Sequence, residues 1–534
     1  MRARAIMVLG TSSHVGKSLL TAALCRIFAQ HGHKVVPFKS QNMSLNSAAT
    51  LEGLEIGRAQ ALQAEAAGVA ASVHMNPILI KPSGDHSSQI IVRGKIWGKL
   101  TAADYHQRRV DELMPIVRES YEELASQYEV VILEGAGSPA EINLKQHDIA
   151  NMRMAQLADA RCLLVGDIDR GGVFASLLGT LELLEQDERE RVRGFAINKF
   201  RGDLGLLEPG IKMIEQRVQK PCLGVIPYLH DLMLEEEDSL GLHVSTQSSW
   251  KMHGLENHSP NRSLRVAVIA LPSFSNFTDF DSLRAEPSVS LLFCRTAEHV
   301  AQADVVILPG SKQTADDLSW MRQQGLDTVI HAHAKKGLVV GICGGMQMLG
   351  ETISDPCSME GEGSVPGLGL LPIHTIMQSQ KVTRNIVGAM VNSVLFGQPI
   401  QDSQLAGYEI HIGQTIYQPL ARCFAVVSDK AGSAKLSEDG CISADTRIFG
   451  TYLHGLFDED SFRHQFIFAA RAFHKLSTPA ELYDWKQRRE DSLNRLALEV
   501  SKALDMKMIF DWAGLPYIDA QLRQPSPQTE GAAR

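Results

Sequence analysis

A chain of 534 residues is too long for a single hydrophobic core and predicts two or three domains. Its 44% hydrophobic and 21% charged residues are those of a globular protein in water, and a formal net charge of -9 argues against a nucleic-acid footprint. An anionic substrate in a local basic pocket stays compatible with that charge. Eight cysteines without close regular spacing do not read as a disulfide framework or a zinc site. A reducing cytoplasm is the expected compartment. No apolar stretch reaches membrane length, and no signal-peptide pattern follows the apolar start.

In chain order, residues 5–10 read as an apolar strand. The loop from Gly10 and Thr11 to Gly16, Lys17 and Ser18 follows, and then an amphipathic helix to about residue 30. Strand, Gly-containing loop ending in Gly-Lys-Ser, and helix together are the context a phosphate-binding loop requires. Lys17 is placed for the β/γ-phosphates and Ser18 for Mg²⁺. The strict motif has Gly where this chain has Thr11, and the glycine stands one place earlier, at Gly10. Residues 35–39 form the next strand and lead into a polar loop over 40–47. Open α/β sheets bind ligands at such strand ends, so Lys39, Gln41 and Asn42 are candidates for holding substrate; an ordinary surface loop is the alternative. Residues 55–68 read as helix, 78–82 as extended, 83–89 as another polar loop, and Thr101 as the cap of a helix to about 127. Residues 130–134 are an apolar strand ending in Glu134, the position that holds or orients Mg²⁺ in phosphate-loop proteins. Its bland alternative is a surface acid. A third such strand begins at Cys162 and ends in a loop with Asp167 and Asp169, both candidates for substrate. The strand 192–198 ends in Asn198, placed to read a base edge, and 223–227 is the last of this half. Alternating strand and helix predict an α/β fold with a mostly parallel sheet covered on both faces.

The acidic run 235–238, read as a solvated face, and the aperiodic stretch 246–263 mark a boundary. The division expected is 1–233 for nucleotide-dependent chemistry, 234–262 as linker, 263–460 as a second α/β domain, and 461–534 as a helical extension. Its tail, from Gln521, reads as disordered. In the second domain, strands 264–271, 289–294 and 303–309 lead to Gly310, whose turn is suited to offering a backbone N–H to an oxyanion. The run 338–342 is a buried strand that stops at Cys343, with Gly341 before it and Gly344 and Gly345 after it. A cysteine at a glycine-flanked strand-to-helix turn has the outline of a nucleophile elbow; a buried structural thiol is the alternative. Gly344 joins Gly310 as an oxyanion candidate. Residues 407–413 alternate as a strand, and His411 on it is as well read as structural as functional. His454 ends a short strand at 449–455. No internal repeat is visible.

Gly341, Cys343, Gly345 and Gln347 meet the G-x-C-x-G-x-Q pattern and resemble the class I glutamine amidotransferases. The resemblance implies that Cys343 attacks the glutamine amide, that His454 is its base, and that Gln347 helps hold glutamine. The wider family keeps a Glu two residues after the His, where this chain has Leu456. The third member is therefore missing or comes from elsewhere: a backbone carbonyl, Glu409 or His411. The form T-Y-L-H-G-L-F over 451–457 resembles the cobalamin-pathway branch, and the phosphate-loop variant resembles dethiobiotin-synthetase-like and partition-ATPase-like proteins. With the stretches 41–47, 134–138, 167–172 and 198–203, the whole is similar to the glutamine-hydrolysing cobyric acid synthase family. That resemblance implies amidation of the b, d, e and g carboxylates of adenosylcobyrinic acid a,c-diamide, with ATP, Mg²⁺ and glutamine and no tightly bound organic cofactor. The partners implied are the small-molecule substrates glutamine, ATP and a corrinoid carboxylic acid. Neither nucleic acid nor membrane is implied, and an oligomer is left open. The rival readings are an a,c-diamide synthase of the same pathway, a partition-type ATPase switch, and an amidotransferase-like binding protein with a dead site.

Overall fold

The strand Val130–Glu134 is buried at every position, as its unbroken apolar run requires. It is one of six parallel strands in the order Cys222–Pro227, Val192–Phe200, Arg161–Asp167, Arg4–Gly10, Val130–Glu134, Val35–Phe38. The computed structural model of the protein describes residues 3–83, 87–101, 104–105, 109–235, 259–360, 363–402, 404–430 and 435–518. The central strand, Arg4–Gly10, feeds the phosphate loop and the helix Lys17–Gln30. Gly16 caps that helix at φ +97°, and a β-carbon there would meet Asn198 Nδ2 at 2.3 Å. Conformation and space both demand glycine.

The polar stretch 40–47 is not a free loop. Gln41–Met43 pairs with Ile78–Ser83, which continues into the hairpin strands Ser87–Val92 and Lys95–Thr101, and Ser47–Ala49 pairs with Glu55–Gly57. The predicted helix over 55–68 is therefore a short strand followed by the helix Arg58–Ala67. Most of the predicted polar loop 83–89 is hairpin, and its residues 84–86 lie outside the described residues.

The second sheet has 11 strands. Val289–Cys294, Leu264–Ile269, Val305–Leu308, Leu338–Ile342 and Ile448–Thr451 are parallel neighbours in that order. Beyond them Ser437–Ile442, Arg422–Asp429 and the 18-residue Ile373–Met390 are antiparallel, and Ile373–Met390 also pairs with Gln404–Tyr417. The sequence reading saw the parallel half and missed how far the antiparallel half extends. Periodicity does not show pairing direction.

The C-terminal helices are divided between the two cores. Asp460–Phe473 packs Phe462, Phe466 and Ile467 into the second, with Arg463 fully buried against Glu286 (Nε to Oε1, 2.7 Å). Trp485–Ala503 starts at Asp484, whose carboxylate accepts from Gln487 N, and places Leu493, Leu496, Ala497 and Val500 at helical spacing. That stripe and the helix Met506–Ala513 return to the first unit. They share a core with Leu24 and Ile27, and Phe510 stacks on Phe28 at 4.3 Å. Full burial of such side chains contributes about 2 kcal/mol each. The predicted disordered tail lies outside the described residues apart from its approach. Of the acidic run read as a solvated face, Glu235 is buried on Arg58 and Arg489, and the rest is outside the described residues.

Candidate active sites

Cys343 follows the strand Leu338–Ile342 at φ +49°, ψ −107°, a conformation that costs a non-glycine residue about 1–3 kcal/mol. Its neighbours make the turn possible. A β-carbon on Gly345 would lie 1.9 Å from Leu308 O, and one on Gly344 would lie 2.9 Å from Ser311 N. The short helix Gly344–Leu349 can therefore press against the Gly310 loop only without side chains there. Cys343 N donates to Thr451 O (2.8 Å), which ties the elbow to the strand leading to His454. Gly310 sits against the His454 ring: its β-carbon would be 3.1 Å from Cε1.

The expected partners of His454 are replaced by an acid the sequence reading did not name. Asp279, 3% exposed, lies with its Oδ2 2.7 Å from His454 Nδ1 and its Oδ1 accepting from Gly455 N at 2.9 Å. Glu409 instead accepts from Arg384 Nε (2.6 Å), and His411 turns Nδ1 to Gly413 O and stacks on Tyr452 at 3.7 Å. The wider family's acid position is filled by Leu456, 1% exposed, because the carboxylate arrives from the 3₁₀ turn Phe277–Phe280, far back in the chain. Tyr408 exchanges backbone hydrogen bonds with His454 and stacks on its ring. Burial works against the imidazolium, but Asp279, followed by Cys343, outweighs it and pushes the His454 pKa up to about 10. A carboxylate on Nδ1 fixes the tautomer and leaves Nε2 for the thiol. An acid between two phenylalanines, Phe277-Thr278-Asp279-Phe280, was the available signal: so apolar a setting buries a carboxylate, and a buried carboxylate needs a partner.

Cys343, Gly344 and Gln347 line one pocket with Ser311, Lys312 and Glu360. Gln347 is 3% exposed; its Nε2 lies 3.4 Å from Tyr452 Oη, and its Oε1 has no hydrogen-bond partner.

In the first unit Lys17 Nζ donates to Ser12 O (2.9 Å) and Gly137 O (3.0 Å), spanning the loop where phosphates bind. Glu134 collects three donors: Ser18 Oγ at 2.8 Å, Lys39 Nζ at 2.9 Å and Gln63 Nε2 at 2.6 Å. Lys39, a candidate for substrate, pairs with Glu134 in this structure, and Gln63 was not foreseen. A hydroxyl and a carboxylate beside the phosphate loop are the small oxygen set a Mg²⁺ with phosphate ligands accepts, so Ser18 and Glu134 fit that ion. Asn198 Nδ2 braces Val15 O (2.8 Å). It also lines an apolar pocket with Gly16, Leu20, Ile226, Tyr228 and, from the C-terminal helix, Leu496. Asp167 is held by Lys199 (2.9 Å) and Asp169 by Arg201 (3.3 Å). Asn42, 2% exposed, donates to Gln60 Oε1 at 3.1 Å. Gln41 lines a broad groove with Ser138, Ile142, Lys145, Arg153 and Arg191. Gly137, the acceptor of Lys17, lies between the groove's Ala136 and Ser138.

Two domain families match these two units. The CobQ/CobB/MinD/ParA nucleotide binding domain covers residues 6–241, and the CobB/CobQ-like glutamine amidotransferase domain covers residues 265–462. The whole chain is similar to a cobyric acid synthase of Thermoanaerobacter sp. (strain X514), 46% identical over 511 residues, which are 95% of this chain and 98% of that one. The cobyric acid synthase of Moorella thermoacetica is 48% identical, covering 96% of this chain and 98% of its own. That of Clostridium acetobutylicum is 45% identical, covering 96% and 99%.

Proposed function

The chain belongs to the cobyric acid synthase family, and on that premise we propose how its two sites divide the work. The protein is a glutamine-dependent amide ligase. The reaction is amidation of the b, d, e and g carboxylates of adenosylcobyrinic acid a,c-diamide. A partition-type switch would leave Cys343, His454 and Asp279 without a task.

Glutamine is opened in the second unit. His454, oriented by Asp279, takes the Cys343 thiol proton, and the thiolate adds to the carboxamide carbon. Backbone N–H groups of Gly310 and Gly344 receive the oxyanion. His454 returns the proton to the departing nitrogen, ammonia leaves, and water hydrolyses the glutamyl thioester to glutamate. In the first unit a corrinoid carboxylate takes the γ-phosphoryl group of ATP, ADP leaves, and ammonia then displaces phosphate from the acyl phosphate. Lys17 follows the phosphoryl charge, and Asn198 and the apolar pocket hold the base. Mg²⁺, when held by Ser18 and Glu134, would neutralise phosphate charge. The groove from Gln41 to Arg191 is the acceptor site we favour. Its Ile142 suits the apolar face of a macrocycle; Lys145 is paired with Glu188 and Arg191 with Asp159, which leaves Arg153 to meet a carboxylate of the rim, in a lining that also holds Glu141, Asp148 and Asp187.

The observation that carries this reading is the 2.7 Å contact of Asp279 with His454 behind the Cys343 elbow, in one chain with a phosphate loop. The test is incubation with the a,c-diamide, ATP, Mg²⁺ and glutamine or ammonia, with amides counted by product mass. Cys343→Ala is expected to abolish synthesis from glutamine and spare synthesis from ammonia; equal loss from both in a folded variant would refute the division of labour. No helix among the described residues is long and apolar enough to cross a membrane. All eight cysteines are unpaired, which supports the reducing cytoplasm we propose.

A further inference from the structure

The pocket at Cys343 is not built from the amidotransferase unit alone. Lys81 and Gln89, on the hairpin strands Ile78–Ser83 and Ser87–Val92 of the ATP-binding unit, line it beside Lys312, Glu360 and Lys381. Lys81 is 4% exposed and ends 2.5 Å from Glu55 Oε1, while Lys381, from the long antiparallel strand, takes the other oxygen of the same carboxylate. Burial pushes the Glu55 carboxyl up, but Lys381 and then Lys81 more than reverse this, so it stays ionised. One carboxylate shared by two lysines leaves one positive charge in excess. Lys312 is a third lysine of the pocket; burial lowers its pKa, and Glu360, in the same lining, opposes its charge. The pocket also holds two buried carboxamide oxygens without a donor, Gln89 Oε1 and Gln347 Oε1.

Free glutamine carries complements to all of these: an α-carboxylate for the excess positive charge, an α-ammonium for Glu360, and N–H donors for the two orphaned oxygens. A buried polar atom left unpaired is costly, so two of them in one pocket point to a polar ligand. The units are also fastened where this matters. Ser47 N donates to Asn276 Oδ1 (2.9 Å) and Phe277 N to Asn46 Oδ1 (3.2 Å), on the turn that carries Asp279.

Resting on the amidotransferase reading above, we infer that the ATP-binding unit completes the glutamine site, with Lys81 binding the α-carboxylate across from Glu360 at the α-ammonium. A solitary amidotransferase unit would lack both Lys81 and Gln89.

The test uses the full chain and three amides: glutamine, 4-aminobutanamide, which lacks the α-carboxylate, and glutaramic acid, which lacks the α-ammonium. Hydrolysis of each is compared for wild type, Lys81→Met, Lys81→Arg and Glu360→Gln, with ammonia-dependent synthesis as the control for an intact fold. Lys81→Met is expected to lower kcat/KM for glutamine and glutaramic acid by about tenfold or more, and to leave 4-aminobutanamide unchanged. Lys81→Arg keeps the charge and most of the preference. Glu360→Gln lowers glutamine and 4-aminobutanamide and leaves glutaramic acid unchanged. Equal losses on all three amides, no loss, or a matching fall in ammonia-dependent synthesis with Lys81→Met would overturn the assignment. A wild type that makes amide from ammonia but hydrolyses no glutamine would instead sink the amidotransferase reading.

Discussion

At the scale of single residues, the amidotransferase site combines side chains that local sequence displays unequally. Cys343 is visible because its turn forces glycines around it, and those glycines are adjacent in the chain. Asp279 is not, because its contact with His454 joins positions that no periodicity connects. It also decides how the site should behave. Without an orienting acid the site would be a slow glutaminase; with Asp279 at 2.7 Å the histidine is held and its cation stabilised. Asp279→Asn keeps size and removes charge, and it is expected to lower glutamine hydrolysis by about 10²–10⁴-fold with ammonia-dependent synthesis intact. The sign of its pH effect follows. Once His454 has taken the thiol proton the active form is a thiolate–imidazolium pair, which Asp279 stabilises by raising the His454 pKa, so its loss moves the alkaline limb of kcat/KM for glutamine, where the imidazolium gives up that proton, to lower pH. Initial rates of glutamine hydrolysis between pH 6 and 10 decide it; an unmoved limb would take Asp279 out of the charge balance.

At the scale of elements, apolar strands and the phosphate-loop helix were legible because one short window carries all the information they need. The helices after residue 460 were legible as helices but not as neighbours of anything. Their amphipathic pattern says that one face is buried and does not say against what. Trp485–Ala503 covers the first helix, where Arg26 bonds Glu490 and Asn494, and it brings Leu496 and Val500 to the pocket beside Asn198. If that pocket holds the base, as proposed above, the C-terminal helix shares in nucleotide binding. Leu496→Ala is expected to raise KM for ATP about tenfold, as the loss of part of a hydrophobic contact does, with kcat for glutamine hydrolysis unchanged. Steady-state ATP titrations at saturating glutamine and ammonia measure it, with a thermal melt to register lost packing. An unchanged KM in a variant with a lowered melting temperature would reduce the helix to a structural cover.

At the scale of the whole molecule, two cores are joined by polar contacts that ordinary solvent would compete away. Asn385 Nδ2 donates to Ala49 O and Thr50 O, and Lys381 reaches Glu55. Arg58 stands at a junction of three parts. It bonds Glu235 at 2.7 Å, lies 3.7 Å from Asp458 of the second unit, and shares Glu235 with Arg489 of the C-terminal helix. Glu235 is 7% exposed. Burial raises its carboxyl pKa, but Arg489, followed by Arg58, overrides this and brings it down to about 2 from an ordinary 4.5. A carboxylate depressed on folding stabilises the fold above its unfolded pKa, and that stabilisation disappears as pH falls through the folded value. The loss therefore runs from 4.5 down towards 2. Glu235→Gln should cost about 3 kcal/mol at neutral pH, the lower part of the range for a broken buried pair, because Asp458 and Glu65 still face the two arginines. Melting temperatures of wild type and Glu235→Gln, taken stepwise from pH 7 to pH 2.5, are expected to differ most above pH 5 and to converge at the acid end. A gap that stays constant across the series would mean that Glu235 holds the junction by packing and not by its charge.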